Sequence, residues 1–214
     1  MVVLRILALS YNERMTTSAS TPRIMLTQAL YLLVLALVAA SDGRSLQGSS
    51  ALLVQSAGFL VVVLAVLGRL WTTLFIAGQK DQQLVRDGPY SACRHPLYVC
   101  SAIAALGIGL TTRSVVLVVT LPLIVGAIAA IAGRREDVAL LKLHGQAWLA
   151  YRDAVPAFWP AWSMRRTPDR VSVPPKIYCK AFLDAASFLA LWLSVLLIDN
   201  LRTGGTWPAL FSLP

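Results

Sequence analysis

"LYVCSAIAALGIGLTTRSVVLVVTLPLIVGAIAAIA", residues 97–132, contains a single charged side chain, Arg113. The run divides at "LTTRS", 110–114, into Leu97–Thr112, short for a membrane span, and Ser114–Ala132. A hydrocarbon core about 30 Å thick is crossed by about 20 apolar residues, and in lipid the backbone must satisfy its own polar groups, which a helix does. With so short a connection, the two halves read as a tight helical hairpin whose ends return to the same face.

Three further runs have this character. Ile24–Ala40 is uncharged, Ala51–Ala77 carries Arg69 near its end, and Ala181–Ile198 carries Asp184 near its start. The expected fold class is therefore an all-α integral membrane bundle of about five transmembrane helices, one pair forming the short hairpin. Composition agrees: 57% of the residues are hydrophobic and 14% charged, against about 25% charged in soluble domains. Mean hydropathy is +0.68. The first run is no signal peptide by its pattern, because a long polar stretch precedes it and it exceeds the usual apolar core.

The net charge of +9 does not call for nucleic acid, since membrane proteins gather Lys and Arg on one side. Residues 1–23 sum to +2, residues 78–96 to +1, and residues 133–180, with nine basic and four acidic side chains, to +5. The alternate connections are nearly neutral: 0 for residues 41–50, +1 at Arg113 and 0 for 199–214. The expectation is a cytoplasmic N-terminus, with both long polar segments on that face. Cys93, Cys100 and Cys179 lack the paired spacing of a zinc or disulfide framework and read as small apolar residues.

At the entry of the hairpin stands "GPYSACRHPLY", 88–98, and at its exit "GRREDVALL", 133–141. The hairpin brings these two polar stretches together at the membrane surface. Gly88-Pro89 is a turn signal, and Pro96 suits the first position of a helix. His95 then lies beside a helix N-terminus, where free backbone donors favour an anion. Arg94 offers a fork for a carboxylate or phosphate. Glu136 and Asp137 offer acceptors for a cationic or hydroxyl-bearing group, so a ligand with both a carboxylate and an ammonium suits the pair. A belt of Tyr, Trp and Arg at the headgroups is the competing physical reading.

Beyond the exit, "REDVALLKLHGQAWLAYRDAVPAFWP", 135–160, reads as one amphipathic cytoplasmic helix. It holds Leu140, Leu141, Leu143, Trp148 and Tyr151 and ends before Val155-Pro156. The order of features from about residue 60 to 160 is G-P-Y, R-H-P-x-Y, an apolar hairpin, an acidic pair, then G-x-x-aromatic-x-x-Y and V-P-x-x-x-P. This order resembles the isoprenylcysteine carboxyl methyltransferase family, whose superfamily includes phospholipid N-methyltransferases.

The resemblance implies a membrane-embedded enzyme with S-adenosylmethionine as cofactor, held at the cytoplasmic end of the hairpin without a glycine-rich loop. "GIG", 107–109, lies in an apolar helix and reads as packing. The implied cofactor contacts are Gln82, Gln83, Leu84 and Val85, then Tyr90, His95, Pro96, Leu97 and Tyr98, and the acid Glu136. Arg94, Glu136 and Arg135 are the implied catalytic positions. No metal is implied, and His144 stands where the family places an aromatic. The chain then divides into a cytoplasmic segment 1–23, two transmembrane helices in 24–77, a methyltransferase core 78–160, and a basic linker with a last helix in 161–214. The implied partners are a lipophilic or lipid-modified acceptor and membrane lipids.

Two departures bear on the acceptor. The acidic pair is Glu-Asp where the family usually has Glu-Glu. Enzymes that methylate a prenylcysteine carboxylate also carry an arginine four residues before the acid; here that position is Ala132, with Arg134 and Arg135 nearby. An isoprenylcysteine carboxylate, a phospholipid amine and a thiol all remain open, as do a membrane reductase and a non-catalytic protein.

Overall fold

The computed structural model describes residues 38, 41–42, 49–77, 83–161, 166–171, 173–203 and 211–212. Its helices are α1 (Ser49–Ile76), α2 (Pro89–Ala92), α3 (Pro96–Thr112), α4 (Val115–His144), α5 (Gln146–Ala154) and α6 (Pro175–Thr203). A two-residue parallel pairing joins β1 (Ser41–Asp42) to β2 (Phe211–Ser212).

Among the described residues, α1, α4 and residues 175–201 of α6 are long and apolar enough to cross a membrane, and α3 is a shorter apolar helix. Against the expectation of about five spans, the described residues hold three long helices and one short one. The predicted first span, 24–40, lies outside the described residues except for Val38, a helical residue buried in the core.

The hairpin forms as its residues dictate. Pro96 takes the first position of α3, where its missing N–H costs nothing. At the other end Arg113 adopts the left-handed conformation (φ 60°) and its N–H closes on the Leu110 carbonyl. Ser114 then caps α4, accepting a hydrogen bond from the Leu117 N–H at 3.4 Å. Glycine is the usual residue at a left-handed cap. Arg113 stays there because its guanidinium pairs with Asp199 near the end of α6.

Helices α1 and α3 run antiparallel and touch through glycines. A Cβ on Gly107 would lie 2.7 Å from the Gly58 carbonyl oxygen and 2.8 Å from Val62, so only hydrogen fits. In lipid, where apolar contact carries little hydrophobic gain, such close backbone approach drives association. Gly109 meets Leu117 and Val118 of α4 in the same way. The "GIG" stretch is therefore packing, as its sequence context implies.

Helix α6 lies against α1 and α3. Trp192 stacks at 4.7 Å on Phe59 and donates its indole N–H to Thr111 at 2.9 Å, and Gln55 donates to Asp199 at 2.9 Å. Ala185, Leu191 and Val195 join Val62, Val66, Ala105, Ile108, Leu117 and Leu121 in the main core. Val115, Val119, Leu123 and Ile131 point out of the bundle from α4, as lipid-facing positions would.

The contacts of Gln55, Arg113 and Asp199 mark one end of the bundle. The opposite end gathers the segments from 83 to 96 and from 133 to 161. Among the described residues, the polar segments 83–96 and 133–161 thus lie at the end opposite Arg113 and Asp199. One boundary differs from expectation: the apolar exit helix and the amphipathic stretch do not form separate helices. Helix α4 runs unbroken for 30 residues from Val115 to His144, and the break comes at Gly145, whose φ is +52°.

Candidate active site at the mouth of the hairpin

Gly88 opens the site. Its φ of +61° is a glycine conformation, and a Cβ there would overlap the Phe75 ring. The turn directs the single-turn helix α2 inward, so that Tyr90, Ser91, Ala92 and Cys93 are all buried. Ser91 fixes the turn by donating to the Gly88 carbonyl at 2.7 Å while accepting from the Arg166 N–H at 2.8 Å.

The segment after α5 covers the next residues from the other side. The N–H groups of Arg94 and His95 donate to the carbonyls of Pro156 (2.8 Å) and Ala157 (3.0 Å), and Ala161 donates back to Ala92 at 2.9 Å. This corrects one expectation. The backbone N–H groups of Arg94 and His95, in the stretch read from the sequence as offering free donors to an anion, are taken by Pro156 and Ala157. The Tyr151 hydroxyl adds a further tie, donating to the Tyr90 carbonyl at 2.6 Å.

The hairpin brings entry and exit together, and the charges meet. Arg94 Nη1 donates to Asp137 Oδ2 at 2.7 Å, and the other Asp137 oxygen lies 2.9 Å from His95 Nε2. Arg94 also donates through Nε to the Val155 carbonyl at 3.0 Å and lies over the Trp148 ring at 5.7 Å. Its guanidinium is therefore occupied by the protein itself. It binds α4, α5 and the extended 155–157 strip together. Trp148, Tyr151 and Val155 form a small core with Leu84 and Leu140 beneath it.

His95 sits in the centre, 4% exposed. Its ring packs 5.3 Å from Phe158 and 5.8 Å from Tyr98. Gly133 makes room for it: a Cβ there would stand 3.2 Å from the imidazole and 3.1 Å from Phe158. On the free side, His95 Nδ1 faces Glu136 Oε2 at 3.7 Å, beyond hydrogen-bond reach. The Glu136 side chain keeps 29% of its surface exposed. The adjacent acids thus have different positions, Asp137 bound into the scaffold and Glu136 at the edge of it. Burial, and then the Glu136 carboxylate, hold the Tyr90 phenol protonated well above its ordinary range. A neutral hydroxyl, a buried imidazole and a water-accessible carboxylate converge here.

The remaining candidates divide. Pro96 is buried, Leu97 and Tyr98 are half-buried on the first turn of α3, and Val85 is half-buried. Gln83 is exposed, and Gln82 lies outside the described residues. Arg134 and Arg135 are exposed and Ala132 is half-buried. Sequence reasoning missed Phe158, Gly133 and the partnership of Asp137 with Arg94 and His95. The only sequence signal for that partnership was the opposite charge of R-H and E-D.

The isoprenylcysteine carboxyl methyltransferase family model matches residues 50–142, covering α1, the R-H-P-x-Y entry, the hairpin and the acidic pair. Two curated relatives extend the match. The nickel-cobalt-cadmium resistance protein NccN of Alcaligenes xylosoxydans xylosoxydans is 35% identical over 166 residues, covering 78% of this chain and 76% of the relative. The cobalt-zinc-cadmium resistance protein CzcN of Cupriavidus metallidurans is 35% identical over 156 residues, covering 73% and 72%. The chain belongs to the isoprenylcysteine carboxyl methyltransferase family. No solved structure matches it. The family's matched stretch ends just beyond the acids that meet Arg94 and His95, so the residues clustered at the hairpin mouth fall within or immediately after it.

Proposed function

We propose that this chain is a membrane methyltransferase that uses S-adenosylmethionine and acts on a lipophilic acceptor, with its site on the cytoplasmic face. The observation that carries this reading is Glu136. It is a partly exposed carboxylate beside a buried imidazole and a neutral phenol, with the neighbouring Asp137 already tied to Arg94. Such a carboxylate suits the cationic part of an amino-acid-bearing sulfonium. Tyr90, His95 and the half-buried Leu97 and Tyr98 would form the wall around it.

The bound donor would supply a methyl group already activated by positive sulfur. The protein's residues then need only hold, orient and exclude water, which suits a site without a dedicated nucleophile. The site lies at the ends of apolar helices, with water on one side and lipid on the other. An acceptor tail lying among those helices gains about 0.8 kcal/mol per buried CH₂. Calorimetry of the detergent-purified protein with S-adenosylmethionine tests the reading. Saturable binding is expected, weakened by Glu136→Gln; no binding to the parent protein would reject it.

The relatives' names, which concern resistance to nickel, cobalt, zinc and cadmium, support a cellular setting. Among the described residues no three His, Cys, Asp or Glu side chains gather into a metal-holding group. The contribution to tolerance that we infer is methylation of an envelope component. Growth of a deletion strain in these metals, complemented by the parent gene but not by Glu136→Gln, is the expected result.

A further inference from the structure

Four ionisable side chains lie in a line across the hairpin mouth: Arg94, Asp137, His95 and Glu136. Their successive contacts are 2.7 Å, 2.9 Å and 3.7 Å. We propose that His95 is the proton acceptor of the reaction, that Asp137 and Arg94 position it, and that the methyl acceptor is accordingly a nucleophile bearing a removable proton, an amine in the first instance. The proposal rests on the methyltransferase reading and deepens it.

The geometry assigns the roles. An ionised Asp137 can only accept, so the 2.9 Å contact places a proton on His95 Nε2. Arg94 Nη1 donates to the other Asp137 oxygen at 2.7 Å, which fixes that carboxylate against the ring. The neutral imidazole then presents the lone pair of Nδ1 on the side of Glu136, where the 3.7 Å gap contains no direct hydrogen bond. The ring is packed against Phe158 at 5.3 Å and against the backbone at Gly133, where an added Cβ would stand 3.2 Å from it. A buried imidazole with one nitrogen fixed by a carboxylate and the other left open is the arrangement of a general base.

The electrostatics point to the same acceptor. Arg94, the cation nearest the imidazole, is taken by Asp137 and the Val155 carbonyl, while Arg134 and Arg135 are exposed and Ala132 has no charge. A carboxylate acceptor would find no clamping arginine beside the imidazole, whereas a neutral amine needs none. The titratable and charged groups around the imidazole are Asp137 and Glu136 from α4, Arg94 and Cys93 from its own segment, Tyr90 from α2 and Tyr98 from α3.

The step balances. The neutral amine nitrogen forms a bond to the methyl carbon as the carbon–sulfur bond breaks, and that electron pair stays on sulfur, which becomes a neutral thioether. The proton displaced from nitrogen goes to His95 Nδ1 and leaves to water past the exposed side of Glu136.

The test uses the full chain in nanodiscs. First, without any donor, calorimetry compares a long-chain alkylamine with a carboxylate of the same tail. At least tenfold tighter binding of the amine is expected, with a pH dependence that His95→Gln removes. Second, with S-adenosylmethionine, an amine lipid and a prenylcysteine analogue compete. Turnover of the amine is expected, with a rate that rises with pH. His95→Gln should lower kcat about 10²-fold and abolish that limb. Asp137→Asn should lower kcat and shift the limb, as a positioning role requires. Donor binding with turnover of the carboxylate alone, at a rate independent of pH, overturns the proposal and leaves the methyltransferase reading intact. Failure of the parent protein to bind the donor overturns both. The parent pH profile and acceptor comparison decide the matter even if a variant does not fold.

Discussion

Glu136 and Asp137 are adjacent acids with different surroundings, and their substitutions should separate. Glu136→Gln removes a carboxylate whose contact with His95 Nδ1 is 3.7 Å, beyond hydrogen-bond reach, so folding should be little changed. Binding of S-adenosylmethionine, measured by calorimetry, should weaken by about 1–3 kcal/mol, the range for hydrogen bonds to charged groups. Asp137→Asn leaves Arg94 half-buried without its ion pair, and thermal unfolding in detergent should register a loss of about 1–3 kcal/mol. Cys93 offers a second residue-scale test. Burial pushes its thiol up from 9.0 to about 11. The folded state therefore keeps its proton where the unfolded chain has lost it, and stability should fall as pH rises from 9 towards 11. Urea titrations at pH 8 and pH 10.5 check this against Cys93→Ala, which should lose less. At this scale the sequence was legible in part: opposite charges announced that R-H and E-D meet. Which acid takes Arg94 depends on the rotation of α4 about its axis, and the order of two neighbouring acids does not specify that.

Among the elements, the apolar runs were readable because lipid leaves the backbone only a helix to adopt. Their ends were less readable. The charges after Ala132 mark where the chain leaves an apolar environment, yet backbone hydrogen bonds continue regardless of solvent, so α4 persists to His144. The true break is a single glycine in a left-handed conformation, placed within an amphipathic pattern that continues on both sides. The strip 155–161 has no periodicity at all, and its function of covering Arg94 and His95 belongs to the folded chain. The close contact of α1 and α3 is a sharper matter. Gly107→Leu should force the helices apart, at about 1–3 kcal/mol for overpacking or more. The measurement is the thermal midpoint in detergent. Gly126→Leu is the control, since nothing lies within 4 Å of a Cβ there, and it should be tolerated.

For the whole molecule, the proposed orientation can be read from a native reporter. Cys179 is exposed near the start of α6, at the same end as the hairpin mouth. A membrane-impermeant thiol reagent should miss it in intact cells and label it in inverted vesicles. A cysteine at Ser49, exposed at the opposite end, should behave in reverse. Labelling of Cys179 from outside would invert the map drawn from loop charges.

The unbroken α4 has a mechanical meaning. At about 1.5 Å per residue its 30 residues make a rod about 45 Å long, against a hydrocarbon core of about 30 Å. One end of that rod is gripped by lipid and the other carries Glu136 and Asp137. A thinner or thicker bilayer changes how the rod tilts, and a tilt at one end is a displacement at the other. The membrane then becomes a gauge that sets the alignment of the acids with Arg94 and His95. Donor affinity in nanodiscs of graded acyl-chain length should pass through a maximum, and an equal affinity at every thickness would show that the rod does not transmit.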